Sequence, residues 1–127
     1  MLEEKRFLVV DDLVMNRILL CEILDSIGCK YEEAKNGKEA LEKLLKSKFD
    51  IVLMDIEMPV MNGIEATREI GKNQSKYNNV KVIGVTAHDP NRFASDFEAV
   101  TFDGFVTKPY TIQRLKVAID NLFPPKV

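Results

Sequence analysis

Short apolar runs without polar alternation recur along the chain, and each stops at a polar residue that carries chemistry. Phe7-Leu8-Val9-Val10 runs into Asp11-Asp12, and Ile51-Val52-Leu53-Met54 runs into Asp55. Strands covered on both faces read this way, because neither face is left for polar side chains. Lys81 to Thr86 (KVIGVT) predicts a fourth strand closed by Thr86, and Phe105-Val106-Thr107 a short fifth one ending at Lys108-Pro109. Lys30 to Ala34 predicts a second strand, more polar than the rest, as an edge strand can be.

Helical spacing fills the intervals. Leu20, Leu24 and Ile27 share a face of a helix predicted over Val14 to Ile27, which Gly28 stops. Asn36-Gly37-Lys38-Glu39 predicts an N-cap at Asn36, followed by an apolar face of Ala40, Leu41, Leu44 and Leu45. Met58-Pro59 forbids a helix directly after Asp55, and Asn62-Gly63 supplies a turn before a third helix over Ile64 to Lys72. Asn73 to Asn79 reads as a polar loop, and Asp89-Pro90 as the start of a fourth helix. Ile112, Leu115, Ile119 and Leu122 mark the last helix, terminated by Pro124-Pro125.

Five strands alternating with five helices predict a three-layer α/β domain built on a parallel sheet. Right-handed crossovers then bring every strand's C-terminal tip to one edge, where open sheets of this class do their chemistry. The 127 residues suit one domain, 1–127, with one core. A net charge of −2 with interspersed signs argues against a face for nucleic acid or membrane, and no apolar run approaches a membrane span. Nothing in the first residues suggests export. Cys21 and Cys29, without a framework of further cysteines, read as reduced thiols of a cytoplasmic protein.

The shared edge therefore collects Asp11, Asp12, Asp55, Thr86 and Lys108. Each has an ordinary explanation when taken alone: a strand-end cap for Asp55, a helix N-terminus for Asp11-Asp12, a plain strand-end residue for Thr86, a solvated end for Lys108. Taken together, three converging carboxylates repel one another and require positive charge. Lys108 supplies one charge, and a divalent cation is the natural remainder. All-oxygen ligation suits Mg²⁺ or Mn²⁺. A cation, a lysine, a hydroxyl and one acceptor carboxylate describe a phosphoryl-transfer site. His88 reads as a solvent-exposed loop imidazole.

The segments VVDD at 9–12, MDIEMPVMNG at 54–63, VTA at 85–87 and FVTKP at 105–109 closely resemble the receiver domain of two-component response regulators. The pattern is closest to receivers of hybrid histidine kinases and phosphorelays. The resemblance implies a flavodoxin-like (βα)5 fold with sheet order 2-1-3-4-5. It implies that Asp55 accepts a phosphoryl group from a phosphohistidine on a histidine kinase or histidine phosphotransfer domain. Asp12 would ligate Mg²⁺ directly beside Asp55, the backbone carbonyl of Glu57 would complete the protein ligands, and Asp11 would act through a water. Lys108 would pair with the phosphoryl oxygens, Thr86 would hydrogen-bond them, and Phe105 would follow Thr86 inward as the switch. That movement would repack the surface of the fourth helix, fifth strand and fifth helix for an output partner. Such a domain is not an enzyme in its own right, since it catalyses only its own phosphorylation and dephosphorylation. Glu57 and His88 would flank the water that ends the signal.

Leu13, Asn62 and Thr101 depart from the family's common choices, and Phe105 lacks the hydroxyl of the commoner Tyr. Two rivals share part of the pattern. A haloacid-dehalogenase-type phosphatase also uses a strand-end Asp with a second acid two residues on, which Glu57 matches, but Pro59 follows and no cap domain is present. A flavodoxin-like cofactor module needs a phosphate-cradling loop where Asp11-Asp12 would repel phosphate.

Overall fold

The computed structural model describes residues 4–56, 63–86, 102–108 and 111–122. In chain order these form β1 (Arg6–Val10), α1 (Val14–Ser26), β2 (Lys30–Ala34), α2 (Gly37–Lys46), β3 (Ile51–Asp55), α3 (Gly63–Lys72), β4 (Lys81–Thr86), β5 (Gly104–Thr107) and α4 (Ile112–Leu122). The strands make one parallel sheet ordered β2-β1-β3-β4-β5. The element that the sequence presents as the fifth helix is α4 here. The fourth helix expected from Asp89-Pro90 lies outside the described residues, as do Glu57, Met58-Pro59, Asn62, Ala87, His88, Thr101, Pro109 and Pro124-Pro125.

Alternation along the strands explains why they are apolar throughout. Phe7, Val9, Ile51, Leu53, Ile83, Val85 and Val106 point to one face and pack with Leu20 and Leu24 of α1 and Leu115 and Ile119 of α4. Leu8, Val10, Val52, Met54 and Val82 point to the other and meet Ala40 and Leu44 of α2 and Ala66 and Ile70 of α3. Two cores back to back leave no polar face on the central strands. β2, at the edge, keeps a polar pattern and seals only Ala34.

Local signals set the ends. Gly28 adopts φ 78°, and behind it Gly28 N–H and Cys29 N–H bond back to Asp25 O and Leu24 O at 3.1 and 3.0 Å. That left-handed residue closes α1 as the sequence indicates. The Asn36 side chain accepts from Glu39 N–H at 2.8 Å, capping α2. Thr111 does the same for α4, its Oγ1 accepting from Arg114 N–H at 3.0 Å, a cap the apolar spacing did not reveal.

Three expectations need correction. Leu45 is 52% exposed, because the stripe that reaches the core is Ala40 and Leu44 and Leu45 falls past its edge. Ile112 is exposed as well, since it opens α4 before the helix comes down onto the sheet. The segment 73–79 is not simply a polar loop. It is a run of turns whose Tyr77 is buried against the α3 core, while Asn78 and Asn79 take the left-handed conformations that asparagine tolerates.

Candidate functional site

The tips of β1, β3, β4 and β5 lie side by side at one edge. Asp11 directly follows β1, its N–H donating to Ala34 O at 3.2 Å, and it is fully buried. Asp12, next along, is exposed. Asp55 is the last residue of β3 and 4% exposed; the ladder runs one residue further, Ile56 N–H donating to Val85 O at 3.1 Å. Thr86 ends β4 and is buried. Lys108 follows β5, and its N–H donates to Thr86 O at 2.8 Å, so the backbone of one functional residue fixes that of the other.

Side chains converge accordingly. Lys108 Nζ lies 3.7 Å from Asp55 Oδ1 and 3.8 Å from Asp11 Oδ2. These are charge contacts, longer than direct hydrogen bonds, and leave space between the groups. Carboxylate oxygens of Asp11, Asp12 and Asp55 all lie within 4.8 Å of one another. Three acids facing one ammonium leave an excess of negative charge in a largely buried place. The donor set is all oxygen, and its spacing suits a small hard cation whose remaining positions are water. Asp11 Oδ1 already accepts Leu13 N–H at 2.9 Å, so Asp11 has less to offer a metal than Asp12.

Two supports of this edge escape a reading of the sequence. Arg17 of α1 donates from Nη1 to Asp11 O at 2.7 Å and from Nε to Glu33 Oε1 at 3.2 Å, tying the acidic turn to the end of β2. The only hint was a basic residue one turn inside the helix that follows Asp11-Asp12. Gly63, read as a turn residue, instead begins α3 in direct contact with the Asp55 backbone. Phe105 is half-buried on β5, its ring 5.1 Å from that of Phe102 at 41°. Both rings lie over Gly84, where an added Cβ would come 2.9 Å from Phe105 Cδ1 and 3.0 Å from Phe102 Cδ1. Glu57, the expected source of a carbonyl ligand, lies outside the described residues.

Among known proteins, the chain is 37% identical over 119 residues to the chemotaxis protein CheY of Thermotoga maritima, covering 93% of this chain and 97% of that one. It is 35% identical over 106 residues to the CAI-1 autoinducer sensor kinase/phosphatase CqsS of Vibrio cholerae. That match covers 84% of this chain but only 16% of the kinase. In three dimensions it is similar to the receiver domain of the Arabidopsis thaliana histidine kinase CKI1 complexed with Mg²⁺, with a TM-score of 0.85 and 32% identity, covering 95% and 93% of the two chains. The family model of the response regulator receiver domain matches residues 7–120, and the chain belongs to that family.

Proposed function

We propose that Asp55 is the phospho-acceptor of this receiver, taking a phosphoryl group from a phosphohistidine on a histidine kinase or histidine phosphotransfer domain. The observation that carries this is the placement of Asp55 within reach of Lys108 and two further carboxylates at the sheet edge. In the transfer, an Asp55 carboxylate oxygen attacks phosphorus, the P–N bond breaks, and the imidazole leaves with its electron pair and takes a proton. Lys108 Nζ, already 3.7 Å from Asp55 Oδ1, neutralises charge on the phosphoryl oxygens. Thr86, buried one strand over, supplies a hydroxyl to the same oxygens, and Phe105 moves toward the space that Thr86 leaves.

Asp12 and Asp55 would hold Mg²⁺ directly, with the Glu57 carbonyl, and Asp11 would act through a water; Mn²⁺ fits the same oxygens. Bound there, the cation supplies charge neutralisation and orientation of the phosphoryl group. Support comes from the oxygen spacing and from the Mg²⁺ in the CKI1 receiver. Arg17 and the Leu13 N–H orient Asp11 for its part.

The donor is proposed to dock on α1. Leu13, Val14, Met15, Ile18 and Leu19 are all exposed there, an apolar patch adjoining the acidic mouth. The output partner is assigned to the surface of the fourth predicted helix, β5 and α4. The family is one of signalling phospho-acceptors. The chain is accordingly proposed to catalyse only its own phosphorylation and dephosphorylation, as one receiver domain over 1–127. No described helix is long and apolar enough to cross a membrane. A cytoplasmic place is proposed on the two buried free thiols.

Incubation with Mg²⁺ and acetyl phosphate tests the acceptor. One labile phosphoryl should be added, and none to Asp55→Asn, which keeps the fold because the amide is nearly isosteric and relieves carboxylate repulsion. Undiminished labelling of the variant at another residue would overturn the assignment.

A further inference from the structure

At the opposite edge of the sheet, the end of α3, the turn 73–79 and the start of β4 enclose a cavity of about 400 Å³. This is within the size range of small-ligand sites. We propose that it binds a small phosphate-bearing anion, at a site separate from Asp55 and independent of the receiver function assigned above.

Three cations line the cavity, Arg68, Lys72 and Lys81, against one carboxylate, Asp103. Asp103 is already engaged with β4: its Oδ2 accepts Val82 N–H at 2.7 Å and its own N–H donates to Val82 O at 2.8 Å. Among the described residues, no ion pair engages any of the three cations. The wall also holds a buried polar group with nothing to bond. Thr67 is 1% exposed, yet its Oγ1 has no hydrogen-bond partner. That oxygen is sealed from solvent, so the hydroxyl is a local cost within α3 rather than a contact for the cavity's occupant.

The negative end of α3 is the obvious objection to an anion here. Two of its last four carbonyls are, however, taken up by the following segment. Asn73 N–H donates to Ile70 O and Asn73 Nδ2 to Glu69 O, both at 3.2 Å. The residues that line the cavity thus bring guanidinium, ammonium and the amides of Gln74 and Asn79, with Asp103 the one carboxylate. A phosphate offers several acceptor oxygens to such a set and pairs with guanidinium in a fork that a single point charge cannot match. Ile70, Val80 and Val82 add an apolar floor suited to the body of a phosphate ester.

Amide spectra of the ¹⁵N-labelled chain, in EDTA and at fixed ionic strength, would test this with inorganic phosphate, phenyl phosphate and benzoate as probes. Saturable shifts at Thr67, Gly71, Lys81 and Asp103 with the phosphates, and not with benzoate, are expected. Lys81→Gln should weaken binding about tenfold, as loss of one charge-assisted contact does. Thr67→Val, which keeps the shape and removes a hydroxyl sealed off from the cavity, should raise the melting temperature and leave binding unchanged. Tighter binding of phenyl phosphate would assign an ester as the ligand, and equal or tighter binding of inorganic phosphate the free ion. Shifts that merely follow sodium chloride, that gather at Asp11, Asp55 and Lys108 instead, or that Lys81→Gln leaves unchanged would overturn the proposal.

Discussion

Gly63 stands so close to Asp55 that a Cβ on it would lie 2.3 Å from the Asp55 carbonyl oxygen and 2.8 Å from Ile56 Cα. Its N–H also donates to Ile56 O at 2.9 Å, so the first turn of α3 rests on the backbone that carries the acceptor carboxylate. The contact is backbone against backbone, with no flexible side chain to give way.

Gly63→Ala should therefore push α3 off the end of β3. Overpacking of this kind costs about 1–3 kcal/mol, and acetyl phosphate labelling of Asp55 should slow as well. Gly71→Ala is the matched control on the same helix, where a Cβ meets nothing within 4 Å. Alanine there should stabilise by up to about 1 kcal/mol. Urea unfolding of the two variants would check the contrast. Equal stability in both would mean that the contact at Gly63 does not constrain the fold.

These two glycines illustrate what a sequence makes legible. Phe7–Val10 and Ile51–Met54 are readable as doubly covered strands because covering both faces removes alternation. Once the strands are placed, crossover handedness carries Asp11, Asp12, Asp55, Thr86 and Lys108 to a single edge. Gly28 and Asn36 announce their caps through local chemistry that acts within a few residues. Contacts between distant segments leave no such trace. Nothing local says that Gly63 touches Asp55 or that Tyr77 turns inward from a polar stretch, and a basic residue one turn into a helix does not by itself place Arg17 on the Asp11 carbonyl. Periodicity also marks a helical face without fixing its width, so it assigns Leu45 and Ile112 to core faces they do not reach.

The roles of Asp12 and Lys108 separate in a metal titration. Asp12 is exposed at the mouth, whereas Asp11 is buried and spends one oxygen on Leu13 N–H. Asp12→Ala should raise the Mg²⁺ needed for half-maximal labelling by about tenfold or more, the scale of losing a ligand or its close support. Lys108→Ala should lower labelling at saturating Mg²⁺ and change the metal requirement far less. Indistinguishable Mg²⁺ curves for the two variants would remove the distinction between ligand and phosphoryl partner.

Alkaline stability has a specific source on the α1 side. Burial, then the charge of Glu33, pushes the Cys21 thiol up to about 11 from an ordinary 9.0. Tyr31, whose hydroxyl donates to Asp25 Oδ2 at 3.0 Å, is raised to about 12 by that bond and then by burial. The unfolded thiol gives up its proton first, so above about pH 9 the native state holds more protons than the unfolded one. Stability is thus whole below pH 9 and falls as pH climbs toward 11, with a slope of up to about 1.4 kcal/mol per pH unit for one such group. Cys21→Val should flatten that slope in urea midpoints measured between about pH 8 and about pH 10. In the native wild type, Cys21 should also alkylate slowly at neutral pH, because little thiolate is present. A slope unaffected by the substitution would place the alkaline sensitivity elsewhere.

The exposed apolar patch on α1 separates donor docking from phosphoryl chemistry. Met15 and Ile18 lie on the surface beside the acidic mouth, and neither belongs to the cores on either face of the sheet. Met15→Asp and Ile18→Asp should consequently leave folding within about 0.5 kcal/mol of wild type, as surface changes do. They should equally leave labelling by acetyl phosphate intact, because a small donor needs only the site itself. Transfer from a phosphorylated histidine phosphotransfer protein is different, since it requires two surfaces to meet with the imidazole aimed at Asp55. A charge buried at the centre of such a contact costs about 2 kcal/mol or more, roughly thirtyfold in the apparent transfer rate at low donor concentration. The comparison is made on one preparation, with both donors, in single-turnover reactions. If both variants lose the two reactions in parallel, the substitutions have disturbed the site; if they lose neither, the donor docks on another face.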